Sequence, residues 1–528
     1  MHERDVPVPM RDGVELLTDS WWPRARPHAP TVLVRSPYGR RGGMGFLYGR
    51  LLAHQGFRVV VQSCRGTDGS GGEFGEGFEH EPADGQATLE WLRAQPWFTG
   101  ELATMGASYL GYVQWALIFQ EPPPELKTMI VQVAPTAARE FAYSGGAMSY
   151  EITLSWAQLM TSGASLVDRM LHARRHAKAL HTSAGTLPLS KGYLLATGGR
   201  RAPFFEDWLA HDDPDDGWWS RSDYSVALRR VDVPVLLQGA WYDLYAAQTV
   251  AQYRALRERG ADAHLTMFAT THRGLIREWP SVLPEAVAWL RAMFEGAAPP
   301  PRRRVRVQLI GRKEWRDLRD WPPDAAPVRL HLQPGGGLSG DAPPASEPDR
   351  FRYDPTDPTP SVGGAVLGPH AGPKDNRELE ARRDVLTYTT GPLERGLEVL
   401  GPVSAELWFS SSRQDADVFV RLCRVTPDGR STNVCDTIQR LRPGRPPAGD
   451  DGVGRLWLEL PPTACRFDAG DRIRLQVSSG AHPRFARNTG SGEPLASATR
   501  LVAADQAVYH DPDRPSSVLL RASRDGAR

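Results

Sequence analysis

Three residues far apart in the chain, Ser108, Asp243 and His272, have the types and the order needed for acyl transfer through a serine. The stretch Thr104–Gly111, TMGASYLG, sets Ser108 among small residues, after a strand-like run and before a helix-like one. A serine at such a junction is commonly just a helix N-cap, but an N-cap does not call for glycines on both sides. Gly106–Gly111 fits G-x-S-x-x-G, close to the G-x-S-x-G of a serine held on a strained strand-to-helix turn, with the second glycine one place later. In that turn small neighbours prevent clashes. The N-terminus of the following helix, expected over Tyr109–Gln120, favours negative charge at the serine, and the Tyr109 N–H is one donor for an oxyanion.

A neutral hydroxyl is a weak nucleophile and needs a base, which in turn needs an acid to orient it. On a sheet of parallel strands these groups belong at the carboxyl ends, in the order serine, acid, histidine. Two later strand-like runs meet that demand. PVLLQGAWYD ends at Asp243, and HLTMFATTH ends at His272. Asp232, Asp262 and His264 precede or begin their strands, so they fall at the opposite edge.

The elements that would position these groups follow from hydrophobic patterning. Thr31–Ser36, Phe57–Ser63, Met129–Ala134, Pro234–Ala240 and His264–Thr270 are continuous apolar runs, the pattern of strands covered on both faces of a parallel sheet. Helical stretches such as Ala246–Arg259, stopped by Gly260, lie between them. The alternation lapses between about 136 and 224. That region carries helical patterns at Ser149–Met160 and Val167–Leu180 and no evident strand, so it is read as an inserted helical cap whose tryptophans (Trp156, Trp208, Trp218, Trp219) are candidate pocket walls. Beyond a linker around Gly296–Arg304 short β-rich runs take over, among them RVRVQLIG, VSAELWFSS and RIRLQVSS, as in a β-sandwich or jelly roll. The Pro/Gly-rich stretch Gln333–Gly364 is expected to be a long surface loop.

With 528 residues the chain exceeds one hydrophobic core. Its 41% apolar and 24% charged residues and net charge of +1 describe a globular protein with no electrostatic call for nucleic acid. The four cysteines, Cys64, Cys423, Cys435 and Cys465, show no metal or disulfide spacing. Neither a signal peptide nor a membrane span is readable, so a cytoplasmic location is expected. No metal or cofactor is expected.

The chain resembles the cocaine esterase / X-prolyl dipeptidyl-peptidase family of α/β-hydrolases. The resemblance runs through MRDGVELLTDSWWP, VRSPYGR, VQSCRGTDGSGGEF, GASYLG, GAWYD and TTH, and past the linker through EWRDLRDWPP, YDPTDPTPSVGG and GPVSAELWFSSSRQDADVFVRL. It implies an α/β-hydrolase core (1–137 and 225–296), a helical cap inserted in it (138–224) and a C-terminal all-β jelly-roll domain (305–528). It places the triad on Ser108, Asp243 and His272. It also gives the tyrosine of RSPYG, Tyr38, a hydroxyl role in the oxyanion hole, and sets Trp156 over the acyl site; Tyr245, two residues beyond Asp243, is a further candidate wall. Two departures bear on specificity. Leu110 stands where ammonium-binding relatives carry an acid, and Thr270–Thr271 replaces the Pro-Trp-Ser before the histidine of many relatives.

The expected activity is hydrolysis of a carboxylic ester, or of an amide, through an acyl-enzyme. Acyl transfer or X-prolyl-type aminopeptidase action on the same triad is the alternative within enzymes. A catalytically silent carbohydrate-binding protein is the alternative from another class, and the intact triad argues against it. The expected partner is a small-molecule ester or amide, with a homodimer left open as the assembly.

Overall fold

The computed structural model describes residues 1–75, 78–162, 173–296, 303–443, 449 and 451–524. Its first layer is a ten-stranded sheet. The strands are β1 (His2–Pro9), β2 (Glu15–Trp21), β3 (Thr31–Ser36), β4 (Arg58–Ser63), β5 (Leu102–Ala107), β6 (Leu126–Gln132), β7 (Val235–Tyr242), β8 (Ala263–Thr271), β9 (Val305–Gln308) and β10 (Trp315–Leu318). They lie in the order β1-β2-β4-β3-β5-β6-β7-β8-β9-β10. From β4 to β9 every neighbouring pair is parallel, and antiparallel strands close both edges. Every residue of β3, β4 and β7 is buried, which is why their sequences are continuous apolar runs.

Helices cover both faces. Those that matter for the site are α1 (Glu81–Arg93) and α2 (Tyr109–Leu117). All nine residues of α2 are buried, so it is apolar all round rather than striped. Between β6 and β7 the chain leaves the sheet and builds α3 (Tyr150–Ser162), α4 (Ala173–Gly185), α5 (Leu189–Thr197) and α6 (Pro203–Ala210). The insertion also holds a small hairpin, Tyr143–Ser144 with Ala147–Met148, that the helical pattern did not announce. The helix expected over Val167–Leu180 lies partly outside the described residues; its described part belongs to α4.

The third layer is an all-β unit whose long strand Leu397–Ser411 pairs with Gly454–Phe467, Ala504–Tyr509 and Ser517–Arg524. In Gly454–Leu460 buried and exposed residues alternate, so one face meets the core and the other water. Two expectations shift. The change of texture at 305 is not a change of sheet, because β9 pairs in parallel with β8 and β10 closes that edge. Gln333–Gly364 is not one loop, since Gly337–Ser339 and Asp349–Tyr353 are strands of the β unit.

One hydrophobic cluster spans the layers, beside a separate one that includes Val32, Val59 and Trp289. The spanning cluster runs from Leu33, Val60 and Met129 through Tyr150, Trp156 and Trp208 to Leu407, Val420 and Leu475. Backbone bonds stitch the seams as well: Arg440 N–H donates to the Gly145 carbonyl at 2.7 Å and Ala486 N–H to that of Met148 at 2.9 Å.

Candidate active site

Ser108 stands between the end of β5 and the start of α2 with φ 61° and ψ −124°, a strained conformation for a residue with a side chain. The neighbouring glycines follow from space. A Cβ on Gly106 would stand 2.4 Å from that of Leu110, and one on Gly111 would stand 2.4 Å from that of Ala134. Gly111 is thus needed where α2 crosses the chain after β6, which accounts for its offset position. The Ser108 N–H donates to the Gln132 carbonyl at 2.9 Å, locking the turn to the neighbouring strand. Tyr109, as the first residue of α2, has an N–H without a partner inside the helix.

Asp243 and His272 leave the adjacent strands β7 and β8 at their carboxyl ends and meet there. The His272 Nδ1 lies 2.5 Å from Asp243 Oδ2. The second carboxylate oxygen, Oδ1, accepts the Tyr245 N–H at 2.7 Å. Asp243 is buried, at 2% exposure, so both of its oxygens are committed within the protein. A carboxylate at Nδ1 holds the proton there and leaves Nε2 as the basic nitrogen. The ring of Tyr245 packs edge-on against His272 at 5.8 Å.

Tyr38 lies on the turn after β3. It is 36% exposed overall and lines one cavity together with Ser108 and Trp156. Burial pushes its pKa above the usual phenol value, so the hydroxyl keeps its proton and can donate. The Tyr109 ring stacks on Trp156 at 6.2 Å, and its hydroxyl donates to Glu81 Oε1 at 2.7 Å, while Glu81 pairs with buried Arg35 at 2.9 Å. This network fixes the start of α2 from below.

A cavity of about 40 Å³ opens at Ser108 between the sheet and the inserted helices. Trp156 forms its roof, stacked on Trp208 at 5.7 Å and met edge-on by Phe78 and Phe141. Of the four tryptophans expected as walls, Trp156 and Trp208 line this cavity. Trp218 stacks on His211 and Trp219 packs against Tyr143 instead. Phe78, Tyr112 and Phe141 also line it, and nothing in their local sequence marked them. Beyond Phe141 and Tyr245 lies a second, polar cavity of about 60 Å³ with Glu140, Glu151, Gln248 and Arg484 on its walls. Burial raises the pKa of both glutamates. Among the described residues no group of His, Cys, Asp and Glu is placed to hold a metal, and no helix is long and apolar enough to cross a membrane.

A parallel sheet carrying a strained serine turn, with an acid and a histidine paired on two further strand ends, defines a serine hydrolase of the α/β-hydrolase class. A family model described as X-Pro dipeptidyl-peptidase (S15 family) matches residues 12–274, and one for the X-Pro dipeptidyl-peptidase C-terminal non-catalytic domain matches 297–519. A cocaine esterase from Rhodococcus sp. (strain MB1 Bresler) is 32% identical over 98% of this chain and 97% of its own length. The chain belongs to this cocaine esterase / X-Pro dipeptidyl-peptidase family, and it is a serine hydrolase of the esterase type. Among solved structures, an aminopeptidase from a marine sediment Thaumarchaeota archaeon superposes with a TM-score of 0.83 at 22% identity, covering 99% of this chain and 96% of that one. An α-amino acid ester hydrolase does so with 0.81 at 21% identity and the same coverage. Both share the fold.

Proposed function

We propose that Ser108, His272 and Asp243 act as a catalytic triad that hydrolyses carboxylic esters of bulky or aromatic acids through an acyl-enzyme. His272 Nε2 takes the proton as Ser108 Oγ attacks the carbonyl carbon. The C–O bond to the alcohol then breaks, with His272 returning that proton to the leaving oxygen, and water releases the acid by the same steps. Asp243 holds the imidazole in the tautomer that makes Nε2 the base. The Tyr38 hydroxyl and the Tyr109 N–H donate to the oxyanion, in a site dry enough for such bonds to count for several kcal/mol.

The observation that carries this reading is the 2.5 Å contact of His272 Nδ1 with buried Asp243, at carboxyl ends of strands in the same sheet that carries the strained Ser108 turn. The aromatic walls around Trp156 support a bulky or aromatic acyl group, and the Rhodococcus relative's name favours an ester over an amide. In this proposal residues 1–137 and 225–296 carry the chemistry, 138–224 roof the pocket, and 305–528 form a jelly roll without a catalytic group, apart from the two strands lent to the core sheet. Four unpaired, buried cysteines accord with a reducing, cytoplasmic setting.

The test is a panel of p-nitrophenyl and aryl esters set against X-Pro p-nitroanilides, run with wild type and Ser108→Ala. Aryl esters should be turned over fastest. The variant should fold normally, lose turnover by several orders of magnitude and escape labelling by a fluorophosphonate. Residual activity above about a tenth of wild type would point to another nucleophile.

A further inference from the structure

The turn that carries Tyr38 lies outside the sheet, and Tyr38 itself is one-third exposed, so packing of its ring alone does not account for a fixed hydroxyl. Two residues on, Arg40 is buried, and its guanidinium spans four partners on separate segments. Nε donates to Asp19 Oδ1 on β2 at 2.9 Å, and Nη1 donates to Ser63 Oγ at the end of β4 at 3.2 Å. Nη1 also reaches Asp68 on the following loop, at its carbonyl (2.5 Å) and at Oδ2 (3.0 Å), while Nη2 bonds Asp5 on β1. Asp68 Oδ2 accepts the Arg40 backbone N–H at 3.2 Å as well, so one carboxylate holds both the side chain and the main chain of the turn.

The residue between the two is Gly39, at φ +91°, where a Cβ would stand 3.1 Å from Asp68 Oδ2. A side chain at this position would be strained by the φ and would press on the Asp68 carboxylate, so glycine lets the turn lie close against it. On its other side the Tyr38 N–H donates to Ser36 Oγ at 3.1 Å. Asp19, fully buried, is itself braced by Arg41 Nε at 3.2 Å and by the Asp5 N–H at 3.0 Å.

We propose that Arg40 is a positioning residue for the reaction: its buried guanidinium, forked between Asp19 and Asp68, holds the Tyr38 turn so that the hydroxyl stands ready at Ser108. This rests on the oxyanion role proposed for Tyr38. A donor aimed at developing charge works only within about half an ångström of its place, and the planar fork of arginine fixes direction where the point charge of lysine does not.

The experiment is a double-mutant cycle on a p-nitrophenyl ester with Arg40→Lys and Asp68→Asn, each in wild type and in Tyr38→Phe. Arg40→Lys should lower kcat about tenfold with KM within about twofold, and Asp68→Asn should lower it about threefold. In the Tyr38→Phe background both losses should shrink to under about twofold, because the hydroxyl they position is gone. A role confined to folding would lower the melting temperature and slow both backgrounds equally, which would overturn the proposal, as would an unchanged kcat in wild type. Should Arg40→Lys not accumulate as folded protein, Asp68→Asn decides, since it leaves the buried Arg40–Asp19 pair intact. A Tyr38→Phe enzyme with unaltered kcat would overturn the oxyanion reading and this proposal together, whereas a slowed one with additive effects overturns this proposal alone.

Discussion

Replacing Asp243 by asparagine changes one atom in a closed arrangement, and the consequence can be worked out from the two contacts that the carboxylate makes. Oδ1 accepts the Tyr245 N–H at 2.7 Å and Oδ2 faces His272 Nδ1 at 2.5 Å. An amide has one acceptor and one donor, so either orientation sets its NH2 group against an existing N–H. The Tyr245 backbone cannot give up its proton, but the imidazole can move its proton to the other ring nitrogen. The amide oxygen should therefore stay with Tyr245, and His272 should carry its proton on Nε2, where it can no longer accept one from Ser108. In a serine protease triad this change costs about 10⁴-fold in kcat, which is about 5.5 kcal/mol of barrier at 1.36 kcal/mol per tenfold. The same loss is expected here, with KM little changed and the fold intact, because shape and both heavy-atom contacts are kept. Steady-state hydrolysis of a p-nitrophenyl ester, with circular dichroism as the folding control, measures it. A loss under about tenfold in a well-folded variant would refute the tautomer argument.

Tyr38→Phe removes only a hydroxyl and should lower kcat by about 10²-fold or more at nearly constant KM; a change confined to KM would make Tyr38 a pocket wall. Glu151 is half-buried and its pKa is raised, because desolvation outweighs the opposing pull of Arg484 and His370. A desolvated acid of this kind weakens the fold as pH rises above its unfolded value, so Glu151→Gln should raise the melting temperature more at pH 8 than at pH 5, and an equal shift at both would contradict this. A fragment of residues 1–296 lacks β9, which covers the edge of the strand leading to His272, and it leaves the Trp241 indole without the Gln308 carbonyl it bonds at 2.9 Å. It should be poorly soluble and largely inactive, as light scattering and ester turnover would show; a soluble fragment with near-normal turnover would make the C-terminal domain an independent module.

The strands bearing the site were legible because a buried parallel strand must be apolar on both faces, and that demand shows in six or seven consecutive residues. Legible strand ends made the acid–histidine pair legible too: once β7 and β8 were bounded, Asp243 and His272 were the acid and the histidine at their carboxyl ends, and they meet there. Patterning could not tell which sheet a strand joins. RVRVQLIG looks the same beside β8 as in the β unit, because side-chain alternation records burial while backbone bonds choose the neighbour. Tyr38 became a candidate only through the resemblance, since a tyrosine in a turn carries no local mark of a catalytic role. Phe78, Tyr112 and Phe141 became pocket walls only when helices from distant segments closed over Ser108. Arg40 meets Asp5, Asp19 and Asp68 across separations of 35, 21 and 28 residues. Periodicity and turn chemistry act over a few residues, so by itself the sequence determined the strands, the strained serine turn and the order of the reacting groups. The cavity, its aromatic roof and the charges bracing the Tyr38 turn were decided by the tertiary structure, because their partners are adjacent only after the sheet has formed.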